Sequence, residues 1–276
     1  MHKVSVITIN LNNAEGLKRT MKSVNEQTFP DFEYIIIDGG STDGSIDIIR
    51  EFQKHTSGTD LSSKFNLYWE SEPDRGIYNA MNKGIVRSQG EYCFFLNSGD
   101  YFASPKVLEN VMKMKATEDI LFGNLLIYVN DKLTEKSFGK PKLSFLDLYL
   151  SSMKHQASFI KRILFDKFGL YDESLKIIAD WEFFLKAVGL GNASYRHISE
   201  DIACFDNAGI SNNSYELIIS ERKRVLETHI PSMILDDYKF FERFAFLRPA
   251  YNYTFTILLI RIIAKCAKVY GKIHSH

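Results

Sequence analysis

The chain has 276 residues, 45% of them hydrophobic, which is enough for a large core that needs no covalent staples. Its 34 basic residues balance 34 acidic ones, so no global field draws it to nucleic acid, and any charged ligand must be held by local features. Cys93, Cys204 and Cys266 are odd in number and unrelated in spacing, and the first residues lack the basic and long apolar regions of a signal peptide; a reducing, cytoplasmic location is expected.

Residues 4–9 read as a buried strand, the apolar positions Leu17, Met21 and Val24 as one face of a helix, and residues 34–37 as a second strand. A helix starting near Ser45, a short strand over 67–69, a helix over 78–86 and a buried strand over 92–96 continue the alternation, which implies a mostly parallel sheet flanked by helices. Farther on, the pattern is less regular: short strands within 120–138, a helix over 145–150 leading into His155, Gln156 and an apolar strand, a helix over 180–188 and another over 215–228. The strands of the first half end in polar stretches at 10–13, 38–43, 70–75 and 97–100. Ligands of open α/β sheets bind at the carboxyl ends of strands, so a site is expected there.

Asp38 closes an apolar strand and precedes Gly39-Gly40-Ser41-Thr42-Asp43-Gly44-Ser45, which predicts a carboxylate exposed at the sheet edge, suited to a nucleotide base or ribose. Asp43 and Ser45 have the simpler reading of helix caps. The turn after the first strand, Asn10-Leu11-Asn12-Asn13-Ala14-Glu15-Gly16, lacks the close-spaced glycines that admit a dinucleotide pyrophosphate, which argues against NAD. A divalent cation bridging carboxylate to diphosphate is the remaining way to hold phosphates, and the candidates are in Asn97-Ser98-Gly99-Asp100.

Together, Ser5-Val6-Ile7-Thr8-Ile9-Asn10, Ser23-Val24-Asn25-Glu26-Gln27-Thr28, Ile36-Ile37-Asp38-Gly39-Gly40-Ser41-Thr42-Asp43-Gly44 and Glu72-Pro73-Asp74-Arg75-Gly76-Ile77-Tyr78-Asn79-Ala80-Met81-Asn82-Lys83-Gly84 resemble glycosyltransferase family 2. The resemblance is specific from Val4 to Tyr101 and looser to Ser211. It implies a GT-A fold and inverting transfer from a nucleotide-diphosphate sugar, with Mn2+ or Mg2+. It also implies that Thr8, Asn10 and Asn97 line the nucleotide site, that Asp38 binds the base, that Asp74 contacts the nucleoside and that Asp100 is the metal ligand. The metal motif departs from the family, with Asn97 first and Gly99 third where acids are common.

Inverting transfer requires a base for the acceptor hydroxyl. Asp180, in Ala179-Asp180-Trp181-Glu182, resembles the family's base, although a helix cap would also place an acid there. Trp181 reads as core or as a sugar-stacking wall. His155 is either a structural histidine or a contact to acceptor or pyrophosphate, and residues 206–211 either a donor-phosphate loop or an ordinary turn.

Over residues 253–272, Arg261, Lys265, Lys268 and Lys272 form a basic stripe opposite an apolar face whose uninterrupted run is too short to span a bilayer. Such a helix either lies in the membrane interface or packs on protein. The expected organisation is a catalytic domain over 1–212, with a nucleotide-sugar half over 1–101 and an acceptor half over 102–212, followed by a helical extension over 213–276. The expected acceptor is a saccharide or lipid-linked saccharide of the bacterial cell surface. Two rivals remain: a sugar-nucleotide or glycan-binding protein without turnover, and a nucleotidyltransferase.

Overall fold

The computed structural model describes residues 2–56, 65–129, 132–206, 215–244 and 261–265. By internal contacts the chain divides into two units, Met1–Val225 and Leu226–His276. The first begins with β1 (Val4–Asn10), α1 (Ala14–Asn25), β2 (Phe32–Asp38), α2 (Ser45–Thr56), β3 (Asn66–Ser71), α3 (Ile77–Arg87) and β4 (Tyr92–Phe95). β2 and β4 flank β1 and β3 flanks β2, all in parallel, so the expected parallel sheet is present.

Helices cover both faces of these strands, which is why β1 and β2 are apolar almost throughout and do not alternate. On one face, Leu17, Met21 and Val24 of α1 pack with Val4, Val6, Tyr34 and Ile36, all at most 2% exposed. On the other, α3 approaches so closely at Gly84 that an added Cβ would collide with Ile7. The Asn13 side chain caps α1 by accepting from the Gly16 N–H at 3.2 Å. Asp43 accepts from the Ser45 N–H at 3.1 Å where α2 starts and from the Ala14 N–H at 2.8 Å where α1 starts, so one carboxylate ties two helix starts together.

The chain continues through β5 (Tyr101–Phe102), α4 (Val107–Lys113), β6 (Ile120–Val129), β7 (Lys132–Ser137), α5 (Phe145–Leu150), a tight helical turn at His155–Ala157, β8 (Ser158–Lys161) and α6 (Ile163–Phe168). Then come α7 (Ala179–Phe184), which widens into a π-helical stretch at Leu185–Leu190, β9 (Tyr195–Asp206) and α8 (Tyr215–His229). Among the described residues the sheet order is β3-β2-β1-β4-β8-β6-β9-β5, with β7 added to β6. β8 is antiparallel to β4 and β6, whereas β6 and β9 are parallel. This antiparallel insertion matters for function, because the residues just before β8 lie past the carboxyl end of β4.

The first turns of α8 belong to the first unit: Glu221 accepts from the backbone N–H groups of Lys176 and Ile177 at 2.7 and 3.2 Å. The second unit contains α9 (Ser232–Arg243), in which Leu235 is buried while Met233, Phe240 and Phe241 are exposed. Of the helix expected over 253–272, only residues 261–265 are described; they are helical, with Ile262 and Ile263 exposed, and the rest lies outside the described residues. No helix among the described residues is long and apolar enough to cross a membrane. Cys93 and Cys204 are free and buried, and burial pushes the Cys93 thiol up to about 12; Cys266 lies outside the described residues.

Candidate active site

The parallel strands end in register. Asn10 stands beside Asp38, and Asp38 beside Ser71, at one carboxyl edge. Asp38, expected to be exposed, is instead wholly buried. Its Oδ1 accepts from Asn10 Nδ2 at 2.7 Å and Ser41 Oγ at 2.6 Å; its Oδ2 accepts from the N–H groups of Gly40 and Ser41 at 3.1 and 2.9 Å and from Ser71 Oγ at 2.6 Å. Burial pushes this carboxyl up, but the bonds from Ser41, Ser71 and Asn10 outweigh it and hold it below the ordinary carboxylate value. Thr8 is also wholly buried: its hydroxyl donates to the Leu96 carbonyl at 2.7 Å and lies 3.0 Å from the Tyr34 hydroxyl, bracing β1 against its neighbours. Both residues therefore build the wall of the edge. Asn10 is 4% exposed, and its Oδ1 is buried without a partner among the described residues.

Asp74 lies at the same edge and is half-buried. Its Oδ1 accepts from the Gly76 N–H at 2.8 Å, while its Oδ2 occupies the space of any side chain at position 39, 2.5 Å from where a Cβ would stand. The missing side chain of Gly39 is thus what lets Asp74 reach over the Asp38 loop.

α3 holds this segment from behind. Glu173 accepts from Arg75 at 2.7 Å, Asn79 at 3.0 Å and Asn82 at 3.1 Å, and Asn82 also exchanges two hydrogen bonds with the backbone of Tyr171. The bonds from Arg75 and Asn79 pull the Glu173 carboxyl from 4.5 to about 2. A depressed carboxyl stabilises the fold fully above its unfolded value and loses that contribution as pH falls toward the folded one. Between pH 4.5 and 2 the melting temperature of the wild type should therefore fall more steeply than that of Glu173→Gln, with the variant the less stable at neutral pH. Parallel melting curves across that range would remove the clamp.

The stretch Asn97–Asp100 leaves β4 at the same edge. The Ser98 N–H donates to the Ile9 carbonyl at 3.0 Å, the Gly99 N–H to Thr20 Oγ1 at 3.0 Å, and Thr20 Oγ1 to the Asp100 carbonyl at 2.6 Å. Gly99 has a φ of +106°, a backbone conformation that strains any residue with a Cβ, so an acid at the third position of the motif would be strained here. Asp100 is 5% exposed, and Asn97 Oδ1 is buried with no partner among the described residues. Hard cations take oxygen ligands, and Mg2+ is commonly held by one or two carboxylates plus substrate phosphates. No group of three or more His, Cys, Asp or Glu among the described residues forms a metal cage. Asp100 and the Asn97 oxygen are nonetheless of the oxygen type that a cation takes when it shares its ligands with a diphosphate.

Asp180 is at the start of α7 but does not cap it: the cap position is Ile178, with no side-chain bond. Its carboxylate instead joins distant parts of the chain. Tyr78 donates its hydroxyl to Oδ1 at 3.0 Å, and His155 Nδ1 bonds Oδ2 at 2.9 Å. Burial pushes the Asp180 carboxyl up, but the bond and charge of His155 and the bond from Tyr78 outweigh it, leaving it below the ordinary value. Burial and the Asp180 charge push the Tyr78 hydroxyl far up, so it stays a donor. Tyr171, whose ring lies 5.6 Å from those of Tyr78 and Phe183, closes the apolar side.

Trp181 is core and not a stacking surface: it is 2% exposed, bonds the Leu148 carbonyl at 2.7 Å and carries the Arg222 guanidinium 4.1 Å over its ring. Of the stretch 206–211, Asp206 ends β9 and residues 207–211 lie outside the described residues. Tyr78 and Glu173 were not singled out from sequence; the available signal was Tyr78, Asn79 and Asn82, polar-tipped side chains on an otherwise packed helix face.

The chain was compared with known proteins. The sequence model of the family described as Glycosyl transferase family 2 matches residues 5–173. An uncharacterized glycosyltransferase of Mycobacterium tuberculosis is 38% identical over 192 residues, 67% of this chain and 68% of its own. The PGL/p-HBAD biosynthesis glycosyltransferase of Mycobacterium bovis is 27% identical over 212 residues, 75% of this chain and 78% of its own. Among solved structures, S. aureus TarS 1-349 in complex with UDP-GlcNAc superposes with a TM-score of 0.64 at 21% identity, covering 86% of this chain and 70% of that one. The mannosyltransferase PcManGT from Pyrobaculum calidifontis in complex with GDP-Man and Mn2+ gives 0.56 at 18% identity, covering 79% and 60%. This chain spans 42% of the longer TarS crystal chain.

Proposed function

The chain belongs to glycosyltransferase family 2 and has the GT-A fold, and from that premise we propose that it moves a sugar from a UDP-sugar to a saccharide or lipid-linked saccharide, with inversion, in bacterial cell-surface polysaccharide assembly. The observation that carries the reading is the junction at Asp180. One carboxylate is bonded both to Tyr78, at the start of the helix that follows Asp74, and to His155, past the end of β4, so proton-accepting chemistry stands between the loops that would hold a donor.

In this reading the Asp38 network shapes the nucleoside wall without touching the ligand, Asn10 and Asp74 supply its polar contacts, and the leaving diphosphate lies toward Asn97 and Asp100. A Mn2+ or Mg2+ ion held there by Asp100 and Asn97 would stabilise the charge of the departing diphosphate. The acceptor hydroxyl attacks the anomeric carbon from the face opposite the nucleotide and gives its proton to the Asp180 centre. TarS was crystallised with UDP-GlcNAc, which supports a uridine donor, and PcManGT with GDP-Man and Mn2+, which supports a cation. Work on the cytoplasmic side of a membrane, with the C-terminal segment at the interface, belongs to the same proposal.

The test is thermal unfolding against UDP, GDP, dTDP and CMP sugars with Mn2+, Mg2+ or chelator. A ligand at 100 times its dissociation constant adds about 2.7 kcal/mol, a rise of several degrees for a protein of this size. A shift with UDP-sugars that shrinks on chelation is expected, and Asp100→Asn should abolish its cation-dependent part. Release of UDP on adding acceptor separates a transferase from a binding protein, and release of pyrophosphate from a nucleoside triphosphate would mark a nucleotidyltransferase. No shift with any sugar nucleotide would overturn the reading.

A further inference from the structure

We propose that the atom that takes the acceptor's proton is Nε2 of His155, and that Asp180 is the positioning residue that fixes the His155 ring and stabilises it once charged. This deepens the transferase reading above and rests on it.

Both oxygens of Asp180 are already engaged, Oδ1 by the Tyr78 hydroxyl at 3.0 Å and Oδ2 by His155 Nδ1 at 2.9 Å. The Asp180 carboxyl is held below the ordinary value, which makes it a weaker proton acceptor than a free aspartate. A carboxylate on Nδ1 selects the tautomer with the proton there, which leaves the lone pair on Nε2. That Nε2 is buried and has no hydrogen-bond partner among the described residues. A desolvated acceptor without a donor is uncommon in folded proteins, and at a ligand site it calls for a donor brought by the ligand.

The backbone fixes where this nitrogen stands. His155 opens a tight turn closed by the bond from the Ala157 N–H to the Lys154 carbonyl at 3.0 Å, and Ser158 Oγ binds the same carbonyl at 2.7 Å. Phe159 pairs with Phe94 in an antiparallel ladder, so residues before Ser158 run past the carboxyl end of β4, the end from which Asn97–Asp100 depart. The imidazole therefore stands past the carboxyl end of β4, with Asp180 behind its Nδ1.

The step balances as follows. The hydroxyl oxygen of the acceptor forms a bond to the anomeric carbon as the bond from that carbon to the diphosphate oxygen breaks, and the bonding pair leaves with UDP. The hydroxyl proton passes to Nε2, and the resulting imidazolium is neutralised by Asp180 through Nδ1–H. No oxidant, reductant or further reactant is needed.

The experiment uses the full chain, the UDP-sugar that raises its melting temperature most, and octyl glucoside or water as acceptor, with UDP release as the readout. His155→Asn keeps a donor for Asp180 but has no basic nitrogen; its turnover should fall by about 10²-fold or more with the donor-induced thermal shift unchanged. His155→Ala, which opens space, should regain turnover in proportion to added imidazole, with substituted imidazoles ranked by base strength, a response a merely structural histidine does not give. If His155→Asn does not fold, His155→Gln replaces it, judged by the same retained thermal shift. Turnover of His155→Asn within about tenfold of wild type, with no imidazole rescue of His155→Ala, overturns the proposal alone and returns the proton to the Asp180 carboxylate. A wild type that binds no UDP-sugar overturns this proposal and the transferase reading together.

Discussion

Asp180→Asn should lower turnover at saturating donor by about 10²- to 10⁴-fold and leave donor affinity nearly unchanged. The substitution preserves size, so the packing of α7 against Tyr171 and Phe183 has no reason to change. It removes the negative charge and turns one of the two acceptor oxygens into an NH₂ group. If the remaining oxygen keeps the Tyr78 bond, the amide presents N–H to His155 Nδ1, where an acceptor now stands at 2.9 Å. The ring must then turn its own N–H elsewhere or change tautomer, and an imidazolium formed in turnover loses its counter-charge. The measurement is initial rate against donor concentration, with the donor-induced rise in melting temperature as the binding control. Turnover within threefold of wild type would remove Asp180 from the chemistry, whichever atom of the pair takes the proton.

Asp38→Ala should cost about 3–5 kcal/mol of stability and abolish donor binding together, because the residue works as a buried hub. Five donors converge on its two oxygens, from Asn10, Gly40, Ser41 twice and Ser71, and alanine leaves them without an acceptor at a wholly buried position. At about 2–4 °C per kcal/mol, the melting temperature falls by on the order of 10 °C. Asp38→Asn distinguishes charge from size: its amide nitrogen faces donors, so it should recover only part of the loss. Since the Asp38 carboxyl lies below its ordinary value, the stabilisation is present at neutral pH and is lost as pH falls through the folded value, so the gap between wild type and variant should narrow in acid. An Asp38→Ala protein that keeps its melting temperature and loses only donor affinity would instead make Asp38 a direct ligand.

The first half of the fold was legible because its signals are local. Residues 34–37 and 92–96 are short apolar runs bounded by turn residues, and the spacing of Leu17, Met21 and Val24 marks one helix face; the elements found there are β2, β4 and α1. β9 has no such signature. Its Arg196, Glu200 and Asp201 make the segment look like a surface loop, yet they pair with Glu118, Asn110 and Asn124, 77 to 90 positions earlier, which lets a polar sequence become a strand between β6 and β5. The helix expected over 180–188 is present but changes winding at Leu185, where it passes into the π-helical stretch.

For the site, the sequence by itself determined which strand ends carry polar groups, because the period of a strand and the chemistry of a turn are written within a few residues. The tertiary structure alone decided which of those groups are buried and what they bond. Asp38 looks exposed as sequence and is buried, since neighbouring strands supply Ser71 and Asn10 as partners. Sequence offers Asp180 as the base candidate and His155 as a separate candidate contact, with nothing to join them. The partners of Asp180 lie 102 residues away at Tyr78 and 25 away at His155, and only the packing of α3, α7 and the turn before β8 brings them together, because hydrogen bonds act over about 3 Å whatever the separation along the chain.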